Sequence, residues 1–210
     1  MKALSILMFT TISLLMSCSS TQVTSSWKAE KLPANKYKKV MVLGIIKEKD
    51  RSLREELENQ IVSNLKEQGY YATSAMQEYG PKAFARFKEE EIADRLKNSG
   101  YDAVLTTVLL DKSKDQRYTP GSVSYQPVGT YYNRFGRYYT TIYDRVYTEG
   151  YYTTSTNFFL ESNLYDTKSG DLVYSVQGQA FDPSSAATLS NDYARTLIKD
   201  MKKNDVLGKN

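Results

Sequence analysis

Val40-Met41-Val42-Leu43-Gly44-Ile45-Ile46 is an apolar run without a charge or a break. A strand exposed on one face alternates apolar and polar residues; a continuous run of this length reads as a strand buried on both faces. Working outward, Ser52-Leu53-Arg54-Glu55 has the pattern of a capping box that opens a helix. Leu53, Leu57, Ile61 and Leu65 then recur every fourth residue, with Arg54, Glu55, Glu58, Asn59 and Lys66 on the other faces. Gly69 supplies the left-handed stop, and a short strand is expected at about Tyr71 to Ser74. A second helix is expected from Ala83 or Lys88 to Asn98, with Phe84, Phe87, Ile92 and Leu96 as its apolar side and Gly100 closing it. Asp102 to Leu110 is again largely apolar, so the order β-α-β-α-β implies right-handed crossovers and a mixed or parallel sheet.

The second half adds antiparallel structure. Asn157 to Tyr165 alternates Phe158, Leu160 and Leu164 with Glu161 and Asn163, Asp166 to Asp171 is turn chemistry, and Leu172 to Phe181 answers as a second strand. A last helix follows Asp182-Pro183-Ser184-Ser185, with Ala187, Leu189 or Tyr193, Ala194, Leu197, Ile198 and Met201 as its buried stripe and Lys199, Lys202 and Lys203 suiting its C-terminal dipole. The predicted fold class is therefore α/β (α+β): a β-α-β-α-β core whose mixed sheet is extended by a β-hairpin and completed by a C-terminal helix.

Composition excludes several chemistries. The 210 residues contain no His and one Cys. There is no Ser-His-Asp triad, no imidazole acid–base step, no His-ligated metal, no internal disulfide and no thiol pair. Lys and Arg number 28 against 24 Asp and Glu, giving a net charge of +4. Loss of residues 1–17 removes only Lys2 and leaves +3, too little to imply nucleic acid.

Lys2 precedes an apolar stretch from Ala3 to Met16, short for a membrane span, which needs roughly 20 residues, and suited to a signal peptide. It ends in Leu15-Met16-Ser17-Cys18, which resembles the lipobox of bacterial lipoproteins; Met16 is a less usual occupant of its position. That resemblance implies cleavage after residue 17 and a diacylglycerol on Cys18, a covalent lipid and the only cofactor-like group expected. Two or three acyl chains anchor stably where one binds marginally. By the same resemblance, Ser19 in place of Asp after the Cys implies sorting to the outer membrane, and the lack of acidic residues from Ser20 to Ser26 implies a periplasm-facing position. Residues 18–36 are Ser/Thr-rich without sustained periodicity and read as a lipidated flexible tether. Trp27 stands out there, and two readings are open: docking on the domain edge, or lying at the lipid headgroup level.

Residues 37–207 then form a single α/β domain. The lipobox, the strand at Val40 to Ile46, the Glu55-Leu57 helix ending in Gly69-Tyr70, the Gly100-Tyr101-Asp102-Ala103-Val104 turn into strand, and the Leu164-Tyr165-Asp166…Gly170-Asp171-Leu172-Val173-Tyr174 hairpin together resemble bacterial lipoproteins with a small α/β domain, similar to the TolB N-terminal domain and the penicillin-binding-protein activator lipoproteins. Such folds serve as adaptors, secretion components and synthase activators, so the resemblance implies a fold more than an activity.

An insertion at 118–153 holds ten of the 18 tyrosines. Tyr131, Tyr132, Arg134, Phe135, Arg137, Tyr138 and Tyr139 are the candidate binding residues, with Tyr143, Tyr147, Tyr151 and Tyr152 beyond them. The cations within the segment are all Arg, and Tyr with Arg but without Lys is the composition of a protein-binding core. Tyr and Thr also form strands well, and aromatic rings also stack on sugars, so a structural hairpin and a glycan or peptidoglycan contact stand beside the protein-partner reading. For catalysis only carboxylates offer themselves. Glu89-Glu90-Glu91 reads as a solvated helix start, Asp111 and Asp115 follow a strand, and Glu161 with Asp166 lie along one strand. No nucleotide-binding or EF-hand spacing occurs. The expectation is a non-catalytic, membrane-anchored envelope lipoprotein that binds an envelope protein or its own copies, the alternatives being a glycan binder or an oligomeric secretion-type subunit.

Overall fold

The computed structural model describes residues 21–30, 37–81, 91, 95, 97–132 and 139–207. Its elements are β1 (Thr21–Lys28), β2 (Lys39–Ile45), α1 (Arg51–Glu67), β3 (Tyr71–Ser74), α2 (Ala75–Tyr79), β4 (Ala103–Thr119), β5 (Ser122–Tyr132), β6 (Tyr139–Thr148), β7 (Tyr151–Asp166), β8 (Leu172–Phe181) and α3 (Ala186–Lys203). They form a mixed six-stranded open sheet of order β1-β8-β7-β4-β2-β3 and a two-stranded sheet β5-β6. The predicted α+β class is the observed one.

The apolar run at 40–46 lies in the parallel part of the sheet. β2 pairs in parallel with β3 through Val40↔Ala72 and with β4 through Val40↔Ala103 to Ile45↔Val108. Burial on both faces follows from alternation. Val40 and Val42 join the main core with Leu57, Ile61 and Leu65 of α1 and Leu189, Leu197 and Met201 of α3, while Met41 and Leu43 face the other way, with Ala75, Tyr101 and Val104. β8 pairs antiparallel with β7, and both contribute to the main core through Leu160, Leu164, Tyr174 and Val176.

Four expectations are corrected. Residues 21–28, read as part of a flexible tether, are an edge strand: β1 pairs antiparallel with β8 from Thr21↔Ala180 to Lys28↔Tyr174. Ser, Thr and Val have adequate strand propensity, and β8 offered a free edge that their local sequence did not announce. Trp27 pairs with Ser175 on this strand and is 52% exposed, so it neither closes a core nor leaves the sheet. Second, the capping box is absent. The helix begins two residues early after a 3-10 turn, with Asp50 and not Ser52 as its N-cap, and no side chain caps it. Third, Glu58, assigned to an outer face, is 1% exposed. Fourth, β4 and β7 overrun their expected limits at Leu110 and Asn157, reaching Thr119 and starting at Tyr151. Of the second predicted helix, Glu91, Arg95 and Lys97 are helical and Gly100 has φ +78°; its apolar side lies outside the described residues.

The last helix starts where its sequence says. Ser185 caps it, its hydroxyl accepting the Thr188 N–H at 3.0 Å. Its buried residues are Leu189, Ser190, Tyr193, Ala194, Leu197, Ile198 and Met201.

By contact the chain divides into two compact units, one drawn from Met1–Ser113 and Asn157–Asn210, the other Lys114–Thr156.

Candidate functional site

The second unit contains the tyrosine-rich segment. β5 and β6 pair antiparallel from Ser122↔Thr148 to Tyr132↔Tyr139, with an irregularity between Pro127 and Gly129 that leaves Val128 as an extra residue. Strand alternation and this register sort the sequence into two faces. Val123, Tyr125, Pro127, Thr130 and Tyr132 lie opposite Tyr147, Arg145, Tyr143, Thr141 and Tyr139 on one face. The other carries Ser122, Ser124, Gln126, Gly129 and Tyr131 opposite Thr148, Val146, Asp144, Ile142 and Thr140. Five tyrosines thus share a face and one takes the other. The bulge matters: if Val128 took a regular place in the ladder, the β5 residues beyond it would change faces and Tyr132 would exchange with Tyr131.

Tyr118, Tyr151 and Tyr152, in the same unit, are 53%, 58% and 71% exposed, and the rings of Tyr118 and Tyr152 lie 4.9 Å apart at 43°. Gly150 lies close to this pair: a Cβ on it would come within 2.8 Å of the Tyr118 ring and 3.0 Å of the Gly121 backbone nitrogen. Of the candidate residues, Tyr131, Tyr132 and Tyr139 are at the strand ends nearest the connection. Arg134, Phe135, Arg137 and Tyr138, and the lipidation candidate Cys18, lie outside the described residues.

Three of the carboxylates considered for catalysis, Asp111, Glu161 and Asp166, are engaged by local structure. Asp111 accepts the Lys112 backbone N–H at 2.8 Å. Glu161 accepts from the amides of Asn163 at 2.8 Å and Gln177 at 2.7 Å. Asp166 is buried and organises its own turn, accepting from the Lys168 and Ser169 backbone N–H groups and from the Tyr37 hydroxyl at 3.2 Å. Burial, reinforced by the Asp166 charge, pushes the Tyr37 phenol up to about 12. Among the described residues no group of three Asp, Glu or Cys side chains is placed to hold a metal ion.

Sequence reasoning missed a feature of the first unit. An open cleft of about 1260 Å³ lies at the C-terminal end of β2 and beside residues 104–112 of β4, where their parallel pairing ends at Ile45↔Val108, the end of a parallel sheet at which α/β folds gather ligands. Its lining includes the apolar Leu43, Ile45, Val108 and Leu110, and it carries six cationic side chains against three carboxylates among the described residues. The lysines involved are scattered from position 47 to 168, so no local motif could have shown them.

No protein-family model matches the chain, and no curated protein matches it. Among solved structures it is similar to a PelC dodecamer from Paraburkholderia phytofirmans, at 13% identity and TM-score 0.43 over 84% of this chain and 94% of that one. It is also similar to lipoprotein GNA1162 from Neisseria meningitidis, at 15% identity and TM-score 0.42 over 81% of this chain and 99% of that one. Scores of this size describe a partial likeness of architecture and assign no activity to this chain.

Proposed function

We propose that this chain is a lipid-anchored bacterial envelope protein without catalytic activity, which binds a protein partner or further copies of itself through the tyrosine face of the β5–β6 hairpin. The observation that carries this reading is the sorting of Tyr125, Tyr132, Tyr139, Tyr143 and Tyr147, with Arg145, onto one face by a register that includes a bulge. Tyr supplies large contact area with few rotors to immobilise, and Arg adds planar donors that stack on rings. A two-stranded hairpin is marginal alone in water, so further cover on its face or edge stabilises it. β6 is the receptive edge. It carries no Pro, Gly or Lys, whereas β5 carries Pro127 and the bulge, devices that discourage strand addition.

The anchor in this reading is the lipid on Cys18, and no helix among the described residues is long and apolar enough to cross a membrane. With β1 starting at Thr21, two residues, Ser19 and Ser20, separate the lipidated position from the sheet. That spacer reaches at most about 10 Å, so the proposed anchor holds the domain close to the bilayer in place of the long tether expected.

Photocrosslinking in the native envelope from Tyr132 and Tyr143 tests the reading. One dominant adduct, with another protein or with a second copy, is expected, and Tyr147→Ser should abolish it while Ser124→Ala, on the opposite face, leaves it. Adducts confined within the chain would overturn the proposal and make the segment structural.

A further inference from the structure

We propose that the cleft at the C-terminal end of β2 and beside residues 104–112 of β4 is a binding site for a free single-chain amphiphile with an anionic head, such as a fatty acid.

The cleft floor is an apolar face that outruns its cover. Along β2, Met41, Leu43 and Ile45 share one face, and along β4 so do Val104, Thr106, Val108 and Leu110, with Ile45 in register with Val108. At one end Met41, Leu43 and Val104 are buried in the smaller core. At the other, Ile45 is 53% and Leu110 51% exposed, both lining the cleft. Two large aliphatic side chains left wet on adjacent strands, continuous with a buried apolar surface, provide the floor that an acyl chain needs.

Charge selects the head group. Lys47, Lys49 and Lys168 are exposed around this floor, and none has a carboxylate within salt-bridge distance among the described residues. Two of the three carboxylates of the lining do less to neutralise them than their number suggests. Asp166 is committed to its turn and to Tyr37, and Asp111 accepts the backbone N–H that follows it. Arg54, the cation most deeply placed, is already paired with Glu58 at 3.1 Å, so the unpaired lysines set the sign. An apolar trough with a cationic rim favours a ligand that is apolar along its length and anionic at one end. A free phosphate would leave the floor wet, and a neutral alcohol would leave the lysines unused. This inference does not depend on the hairpin, and its site lies wholly within the first unit.

The test uses the full chain in nanodiscs of zwitterionic lipid, photolabelled with a diazirine analogue of dodecanoate and, in parallel, of dodecanol, with the labelled peptides mapped by mass spectrometry. The carboxylate is expected to label residues 43–47 and 108–112, about tenfold more than the alcohol at equal concentration. Reversing charge with Lys49→Glu and Lys168→Glu together should remove that advantage and leave alcohol labelling unchanged. Leu110→Ser, at an exposed position, should reduce labelling by both probes with the melting temperature retained. Equal labelling by acid and alcohol, or label spread over the surface, would overturn the proposal. So would label at these residues only when the diazirine sits in the nanodisc's own lipid, since that would make the cleft a membrane contact.

Discussion

The Glu58 carboxylate of α1 accepts the backbone N–H of Gly44 in β2 at 2.8 Å. The same carboxylate accepts from the Ser74 hydroxyl at 2.5 Å, the Met76 N–H at 2.9 Å and Arg54 Nε at 3.1 Å. One buried acid therefore ties α1 to the second strand and to the start of α2, and every donor around it is directed at its two oxygens. Replacing it with Ala leaves Arg54 and two buried N–H groups without their partner. Glu58→Ala is expected to cost about 3–5 kcal/mol, and Glu58→Gln less, because one amide oxygen still accepts. Thermal melts of the full chain measure both.

Gly44 answers to the same network from the strand side. A Cβ there would come within 2.7 Å of Arg54 Cγ and 3.1 Å of Glu58 Oε1. Gly44→Ala should destabilise by about 1–3 kcal/mol. Its effect should be less than additive with Glu58→Ala, since removing the carboxylate frees part of the space. A double-mutant cycle decides this.

A hydroxyl ladder joins the sheet to α3: Thr107 Oγ1 to Ser162 Oγ at 2.9 Å, and Ser162 Oγ to the Tyr193 hydroxyl at 2.9 Å. The Tyr193 ring lies under β8, where a Cβ on Gly178 would come within 3.1 Å of it and 3.3 Å of the Gln22 carbonyl of β1. Gly178→Ala must move either the ring or the edge strand. Hydrogen exchange should show faster exchange across Thr21–Lys28 in this variant, with the amides of β2 unchanged.

The wild-type protein should itself protect those amides, since β1 is a strand. Lys28 also donates from Nζ to the Asn204 carbonyl at 2.8 Å. A lysine-specific protease is expected to leave the bond after Lys28 intact in the native state, and rapid cleavage there would show a tether.

High pH should unfold the protein through its phenols. Burial, then the Glu78 hydrogen bond, pushes Tyr101 up to about 12, as burial and Asp166 do for Tyr37. Burial raises Tyr174 and Tyr193 as well. A raised folded pKa keeps the proton on the native state more firmly than on the unfolded chain. Its stabilisation is complete below the ordinary phenol value of about 10 and is lost as pH rises through about 12. Tyrosinate absorbance should therefore rise in two stages, the second coinciding with loss of secondary structure, and Tyr37→Phe should shift that second stage.

Local signals were legible without the fold. The apolar run marked a strand that is buried on both faces over Val40–Gly44, though Ile45 at its end is exposed, the four-residue spacing from Leu53 to Leu65 marked a helix, and Asp182 to Ser185 marked the start of the last one. Each depends on neighbours within a turn or two of chain, where steric and hydrogen-bonding preferences act directly. Composition likewise excluded imidazole chemistry, and the lipobox resemblance singled out Cys18. Tertiary structure decided what depends on distant partners. Glu58 looks like a solvated helix residue until Gly44, Ser74 and Met76 converge on it, and residues 21–28 look like a linker until β8 offers an edge. The two faces of the hairpin depend on a single extra residue in the register, and the cationic rim on lysines more than a hundred positions apart. Pairing register and the sharing of a buried charge are settled by the three-dimensional environment, because the free energy of each belongs to groups that only the folded chain brings together.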